Sequence, residues 1–262
     1  MKFSISNLAW LKKEEEDVLN LVKKKIKLLE FAPSLILKNL NSRKEILETK
    51  NYWKKKGISL YSMQSILYDS KNCYLFGNKK QIDRFFIEVK KKILLAKTLN
   101  AKIIVFGSPR SKKTFGKKKK LLNKMLFEML KKLSKICEKN KITFCLEANP
   151  KIYGTDYLTH TKDAIKIVKK INNKFLKVNL DLSTIISNEE NYSVFLKKDL
   201  KFIGHAQISA PKLMNLLAFK KEIKNFINKL KTYGYKKVVS IETLPVKKNN
   251  LNYIKNILKL IN

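Results

Sequence analysis

The chain has 262 residues, 44% of them hydrophobic, which is enough for one sizeable buried core. No apolar stretch nears the roughly 20 residues that span a bilayer, and the start MKFSISNLAWLKKEEED lacks the long apolar segment of a secretory signal. The three cysteines, Cys73, Cys137 and Cys145, are widely spaced with no C-x-x-C pair, so reduced thiols and a cytoplasmic location are expected.

The formal charge of +37 points toward polyanions, yet only Arg43, Arg84 and Arg110 carry the guanidinium suited to bidentate phosphate recognition. The lysines are densest in KKKIK (23–27) and KKKK (117–120) and otherwise scatter over nearly every helical stretch. That distribution fits a solvated basic surface with non-specific attraction to polyanions, and neither a specific nucleic acid nor a membrane as partner.

In chain order the predicted strands are KFSIS (2–6), KLLEFA (27–32), ISLYSMQ (58–64), KIIVFG (102–107), ITFCLE (142–147), LKVNLD (176–181), FIGHAQIS (202–209) and KKVVSIE (236–242). Amphipathic stretches separate them, for example Leu121, Met125, Leu126, Met129, Leu130 and Leu133 at helical spacing. Strands alternating with helices imply parallel pairing through right-handed crossovers. Eight such units close economically into an α/β (β/α)8 TIM barrel. Without a Pro/Gly/Ser-rich linker, one domain over residues 1–262 is expected. An open Rossmann sheet is the competing arrangement, but no G-x-G-x-x-G follows the first strand.

Alternation within the strands assigns faces. In ITFCLE, Ile142, Phe144 and Leu146 are expected toward the helices, with Thr143, Cys145 and Glu147 inward. In FIGHAQIS, Phe202, Gly204, Ala206 and Ile208 are expected outward, with His205, Gln207 and Ser209 inward. In KKVVSIE, Val239 and Ile241 point out while Ser240 and Glu242 point in. Glu147, Asp181, Gln207 and Glu242 thus each end a strand, and a closed barrel brings such tips to one mouth. Singly, each has an ordinary alternative: Glu147 as a loop acid, Asp181 as the N-cap of a short helix. Together, three carboxylates at one rim suggest a cation, and an all-oxygen set suits Mg2+ or Mn2+.

The stretches LEANP, NLD, HAQIS and SIET, supported by SNLAW (6–10), EFAP (30–33), YSMQSILY (61–68) and VFGSPR (105–110), resemble the xylose isomerase-like TIM barrels. That superfamily contains sugar-phosphate isomerases/epimerases and ketose 3-epimerases, and the resemblance runs over essentially the whole length. It implies a divalent metal held by Glu147, Asp181, Gln207 and Glu242, with Glu147 and Glu242 also serving as acid and base on opposite faces of a sugar. There are departures. Gln207 stands where the family's imidazole is usual, with His205 two residues earlier. Thr184 occupies a position often held by a substrate-binding His, and the substrate Arg after the seventh strand has no counterpart beyond nearby Lys212.

The implied chemistry is metal-assisted proton abstraction next to a carbonyl, as in an isomerase or epimerase of carbohydrate metabolism. Alternatives are a dehydratase of a keto-inositol, an apurinic endonuclease and a non-catalytic sugar-binding barrel. Such endonucleases gather several His, and this chain has only His160 and His205. His205 is expected to meet substrate or support the site. Gln64 either contacts a sugar hydroxyl or fills the interior. Ser108 and Arg110 either bind an anionic group or belong to a solvated loop that Lys112 and Lys113 extend. Asn149 follows Glu147 in the turn and joins the substrate contacts, and Tyr153 either edges the site or lies on the surface. The expected partner is a sugar or sugar phosphate, and a homodimer is compatible with this reading.

Overall fold

The computed structural model describes residues 1–261. Eight strands form a closed barrel in the order β1 to β8, every neighbouring pair parallel: β1 Lys2–Ser6, β2 Leu28–Phe31, β3 Ser59–Met63, β4 Ile103–Phe106, β5 Thr143–Leu146, β6 Leu176–Asp181, β7 Ile203–Ile208 and β8 Val238–Ile241. Each lies within its predicted segment. The helices are α1 Glu15–Val22, α2 Pro33–Ile36, α3 Arg43–Lys55, α4 Lys79–Thr98, α5 Lys119–Asn140, α6 Thr161–Ile171, α7 Leu182–Ser187, α8 Ser193–Asp199, α9 Lys220–Thr232 and α10 Asn250–Leu260. No helix among the described residues is long and apolar enough to cross a membrane.

The main core lies between strands and helices. Phe85 of α4, Phe106 of β4 and Phe144 of β5 join there, ring centroids 5.5 and 5.7 Å apart. Burying each ring contributes about 1.5–3 kcal/mol, and the trio fixes β4 beside β5. On α5 the buried stripe is Leu122, Leu126, Met129, Leu130, Leu133 and Cys137. Leu121, expected in that stripe, is 45% exposed, and Leu122 takes the inward position.

Inside the barrel, Ile103, Val105 and Cys145 form a small separate cluster with Tyr61. One expectation about this interior is corrected. The pairing of β6 with β7 shifts register, Val178 opposite Ile203 but Asn179 opposite His205, so Gly204 is a bulge residue. A Cβ on Gly204 would lie 2.5 Å from Lys177 Cβ and 2.8 Å from Cys145 Sγ, so its Cα faces the interior rather than the helices. The bulge puts two successive residues on one face and thereby keeps His205, Gln207 and Ser209 inward.

Candidate active site at the C-terminal mouth

A cavity of about 400 Å³ opens at the C-terminal end of the strands. Glu147, Asp181, Gln207 and Glu242 all line it, as do Gln64, Ser108, Arg110, Asn149 and Tyr153. The four strand tips predicted to converge therefore do meet. A larger groove of about 830 Å³ lies outside the barrel between α5 and α6, lined by Lys117, Lys119, Lys120, Lys124, Lys166 and Lys170 among others, and contains none of these tips.

Glu147 continues β5 past its last ladder residue, its N–H donating to the Phe106 carbonyl at 3.0 Å. Its Oε1 accepts from Asn149 Nδ2 and its Oε2 from Asn179 Nδ2, both at 2.8 Å. Gly107 makes room for this carboxylate, since a Cβ there would stand 2.4 Å from Oε1. Behind it, Lys112 is wholly buried and donates to the Glu147 carbonyl at 2.9 Å. Burial first, then the Asp181 charge, pushes the Glu147 carboxyl up to about 7 against Lys112, Asn179 and Asn149. Burial drives the Lys112 amine down to about 7.

Glu242 extends β8 in the same way, its N–H donating to the Ile208 carbonyl at 2.9 Å. Burial, followed by the charges of Glu30, Asp181 and Glu147, holds its carboxyl well above the ordinary value, with a Gln64 hydrogen bond opposing. Asp181 combines both roles foreseen for it, because it lines the cavity and caps α7. Its Oδ2 accepts from the Thr184 N–H at 3.0 Å and the Thr184 hydroxyl at 2.9 Å, and its Oδ1 from the Ser209 hydroxyl. Burial raises its proton affinity, and those donors work against the rise.

Gln207 is the hub of a cross-barrel amide network. Its Nε2 donates to Glu30 Oε1 at 2.8 Å and Gln64 Oε1 at 2.9 Å, while its Oε1 accepts from Asn179 Nδ2. Gln64 in turn donates to Ser6 Oγ at 2.7 Å. His205 does not line the cavity. It sits fully buried one layer lower on β7, its Nε2 2.9 Å from Glu30 Oε2, which also accepts from Ser62 Oγ at 2.8 Å. Burial opposes ionisation of Glu30, but the charge and hydrogen bond of His205, with Gln207 and Ser240, hold its carboxyl below the ordinary value.

The remaining candidates fall at the rim. Ser108 takes a left-handed conformation (φ 44°) ahead of the 3-10 turn Pro109–Lys112. The exposed Arg110 guanidinium donates to the Tyr68 carbonyl at 3.0 Å. The Tyr153 hydroxyl lies 2.8 Å from Ser183 Oγ and accepts from the Lys212 N–H. Asn149 is buried with its Oδ1 unpartnered, an acceptor left over at the cavity wall. Asn179, Glu30 and Gly107 were not singled out from the sequence. Asn179 precedes Asp181 by two residues, so alternation alone puts it on the inward face, and Glu30 is a lone acid within an apolar strand.

The expected ligand set does not suit a divalent ion. Among the described residues no three His, Cys, Asp or Glu side chains are placed to hold one metal. Both oxygens of Glu147 and of Asp181 accept from protein donors, and the Gln207 oxygen is turned to Asn179. Amide and hydroxyl donors thus already compensate the oxygens of Glu147 and Asp181, the role the sequence assigns to a cation.

Residues 27–261 match the family described as xylose isomerase-like TIM barrel. Solved structures with the same fold include 3-keto-D-glucoside 4-epimerase, YcjR, from E. coli in its apo form (TM-score 0.77, 14% identity, 99% of this chain and 98% of that one). D-Psicose 3-epimerase with D-tagatose from Clostridium cellulolyticum H10 superposes with a TM-score of 0.71 at 18% identity, over 97% of this chain and 89% of the other. The IOLI protein with a binding zinc atom gives 0.73 at 16%, over 100% and 98%. At these identities the likeness establishes the fold. Compared with curated proteins by sequence, the chain has no match.

Proposed function

The chain belongs to the xylose isomerase-like TIM-barrel family, and from that premise we propose that it is a sugar isomerase or epimerase whose acid and base are Glu147 and Glu242. One observation carries this reading: two glutamates from strands far apart in the chain line a single sugar-sized cavity, each with its affinity for protons raised by burial. Several structural relatives are described as sugar epimerases, which supports the substrate class.

Ionised Glu147 takes a proton from the carbon next to a sugar carbonyl. The C–H electron pair moves into the carbon–carbon bond and the carbonyl oxygen gains the charge. Glu242, whose carboxyl is also held above its ordinary value by burial and the neighbouring acids, returns a proton. Delivery to the opposite face of the same carbon, with the carbonyl re-forming on the same oxygen, gives epimerisation; delivery to the former carbonyl carbon gives isomerisation, the neighbouring hydroxyl passing its proton to the former carbonyl oxygen and becoming the new carbonyl. Two carboxyls with raised proton affinity at one site suit acid/base work. Asn149 Oδ1 is free to accept from a sugar hydroxyl, and the Tyr153 and Ser183 hydroxyls offer further polar contacts. The nuclease alternative has little support, because His205 lies below the cavity and His160 is bound to Thr159 outside its lining.

The test is solvent exchange. Ketoses, aldoses and their phosphates are incubated with the protein in D2O, and loss of a C–H signal is followed by NMR. Exchange that disappears in Glu147→Gln and in Glu242→Gln, with both variants folded, is the expected result. Loss of water would instead identify the dehydratase. No exchange with any sugar, or near-normal exchange in either variant, would remove the acid/base assignment.

A further inference from the structure

We infer that the four strand tips form a metal-free site, in which side-chain amides occupy the bridging position between them and keep the carboxylates ordered without a divalent ion. The inference takes its location from the proposed function but is read by ion binding, so either can fail while the other stands.

The geometry rests on two amides whose orientations are enforced. Gln207 directs its NH2 to the Glu30 carboxylate and to Gln64 Oε1. Turned over, it would set its oxygen against those two acceptors and its NH2 against the Asn179 NH2, so only the observed orientation satisfies every partner. The one Gln207 atom able to ligate a cation is therefore its Oε1, and Asn179 Nδ2 holds it. That same nitrogen also donates to Glu147 Oε2 at 2.8 Å. One NH2 group thus spans Glu147 and Gln207, two of the four tips a cation would have to bridge. Asn179 is equally fixed, since reversal would set its oxygen against two acceptors.

Asp181, the third tip, is held by its own donors. Thr184 and Ser209 supply three donors to Asp181, and Asn149 supplies one to Glu147 Oε1. Glu30 anchors the network from beneath, its buried carboxylate hydrogen-bonded to His205, Gln207 and Ser62. An entering ion would have to displace or share the Asn179 bridge between Glu147 and Gln207. At Gln207 it would find an amide oxygen already accepting from Asn179, and a poorer ligand for Zn2+ than an imidazole nitrogen.

The wild-type protein is stripped with chelator, dialysed, and titrated with Mn2+ while free ion is followed by electron paramagnetic resonance; melting is recorded in parallel. A specific site with Kd of ~10 µM would be filled about a hundredfold over at ~1 mM Mn2+ and would raise the melting temperature by roughly 5–10 °C. The expected result is no saturable one-equivalent binding and no such shift. Stoichiometric binding that vanishes in Glu147→Gln and Glu242→Gln would overturn the inference. Binding indifferent to both substitutions would place the ion elsewhere and leave it standing. In a folded Gln207→His protein, one-equivalent Mn2+ binding is expected. If that variant excludes the ion as the wild type does, the amide is not what keeps it out and the account fails.

Discussion

Replacing Gly107 by alanine tests whether the Glu147 carboxylate does its work from the position it occupies. The new Cβ would lie 2.4 Å from Glu147 Oε1, 3.1 Å from its Cδ and 3.2 Å from Asn149 Nδ2. Restoring ordinary contact requires the carboxylate to retreat by roughly 1 Å. The neighbour that must yield is the end of a side chain facing a cavity, so the fold has room to accommodate the change. Gly107 is not among the positive-φ glycines, and alanine there removes unfolded-state freedom worth about 0.4–1 kcal/mol. Against that stands the weakening of one or both amide bonds to Glu147, about 1.5–3 kcal/mol each when charge-assisted. The net is a loss of about 1–2 kcal/mol, a fall of a few degrees in melting temperature. A reacting group misplaced by about 1 Å costs on the order of 100-fold in rate. Circular dichroism melting and deuterium wash-in measured on the same preparation should therefore separate, with rate collapsing and fold retained. A folded Gly107→Ala protein exchanging at the wild-type rate would refute the placement of Glu147 at the reacting carbon.

Two further outcomes are expected. Because the Glu147 carboxyl is raised to about 7 and must be ionised to act as base, kcat/KM should fall tenfold per pH unit below about pH 7. A profile flat down to pH 5 would assign the base elsewhere. Glu30→Gln removes the charge opposite His205 and turns an NH2 toward groups that now donate to it, so urea denaturation should show a loss of about 3–5 kcal/mol; a loss below about 1 kcal/mol would show that the buried pair contributes little.

The eight strands were legible because period-2 alternation and length are local properties. Each observed strand falls inside its predicted segment, and the convergence of Glu147, Asp181, Gln207 and Glu242 followed from parallel closure alone. The errors have equally definite causes. Strict alternation puts Gly204 outward because it has no place for the bulge opposite Val178 and Asn179. Helical spacing admits Leu121 to the apolar stripe of α5 because the pair Leu121–Leu122 leaves the helical phase undetermined by one residue, and packing chose Leu122.

What chain order by itself determined was the barrel and the inventory of carboxylates and amides around its mouth. What only tertiary structure decided was which oxygen meets which donor. His205 reaches Glu30 across 175 positions and Gln207 reaches it across 177, and such contacts exist only after closure and register have set the interior. A hydrogen bond depends on tenths of an ångström and on which way an amide is turned, and residue spacing along a strand carries neither.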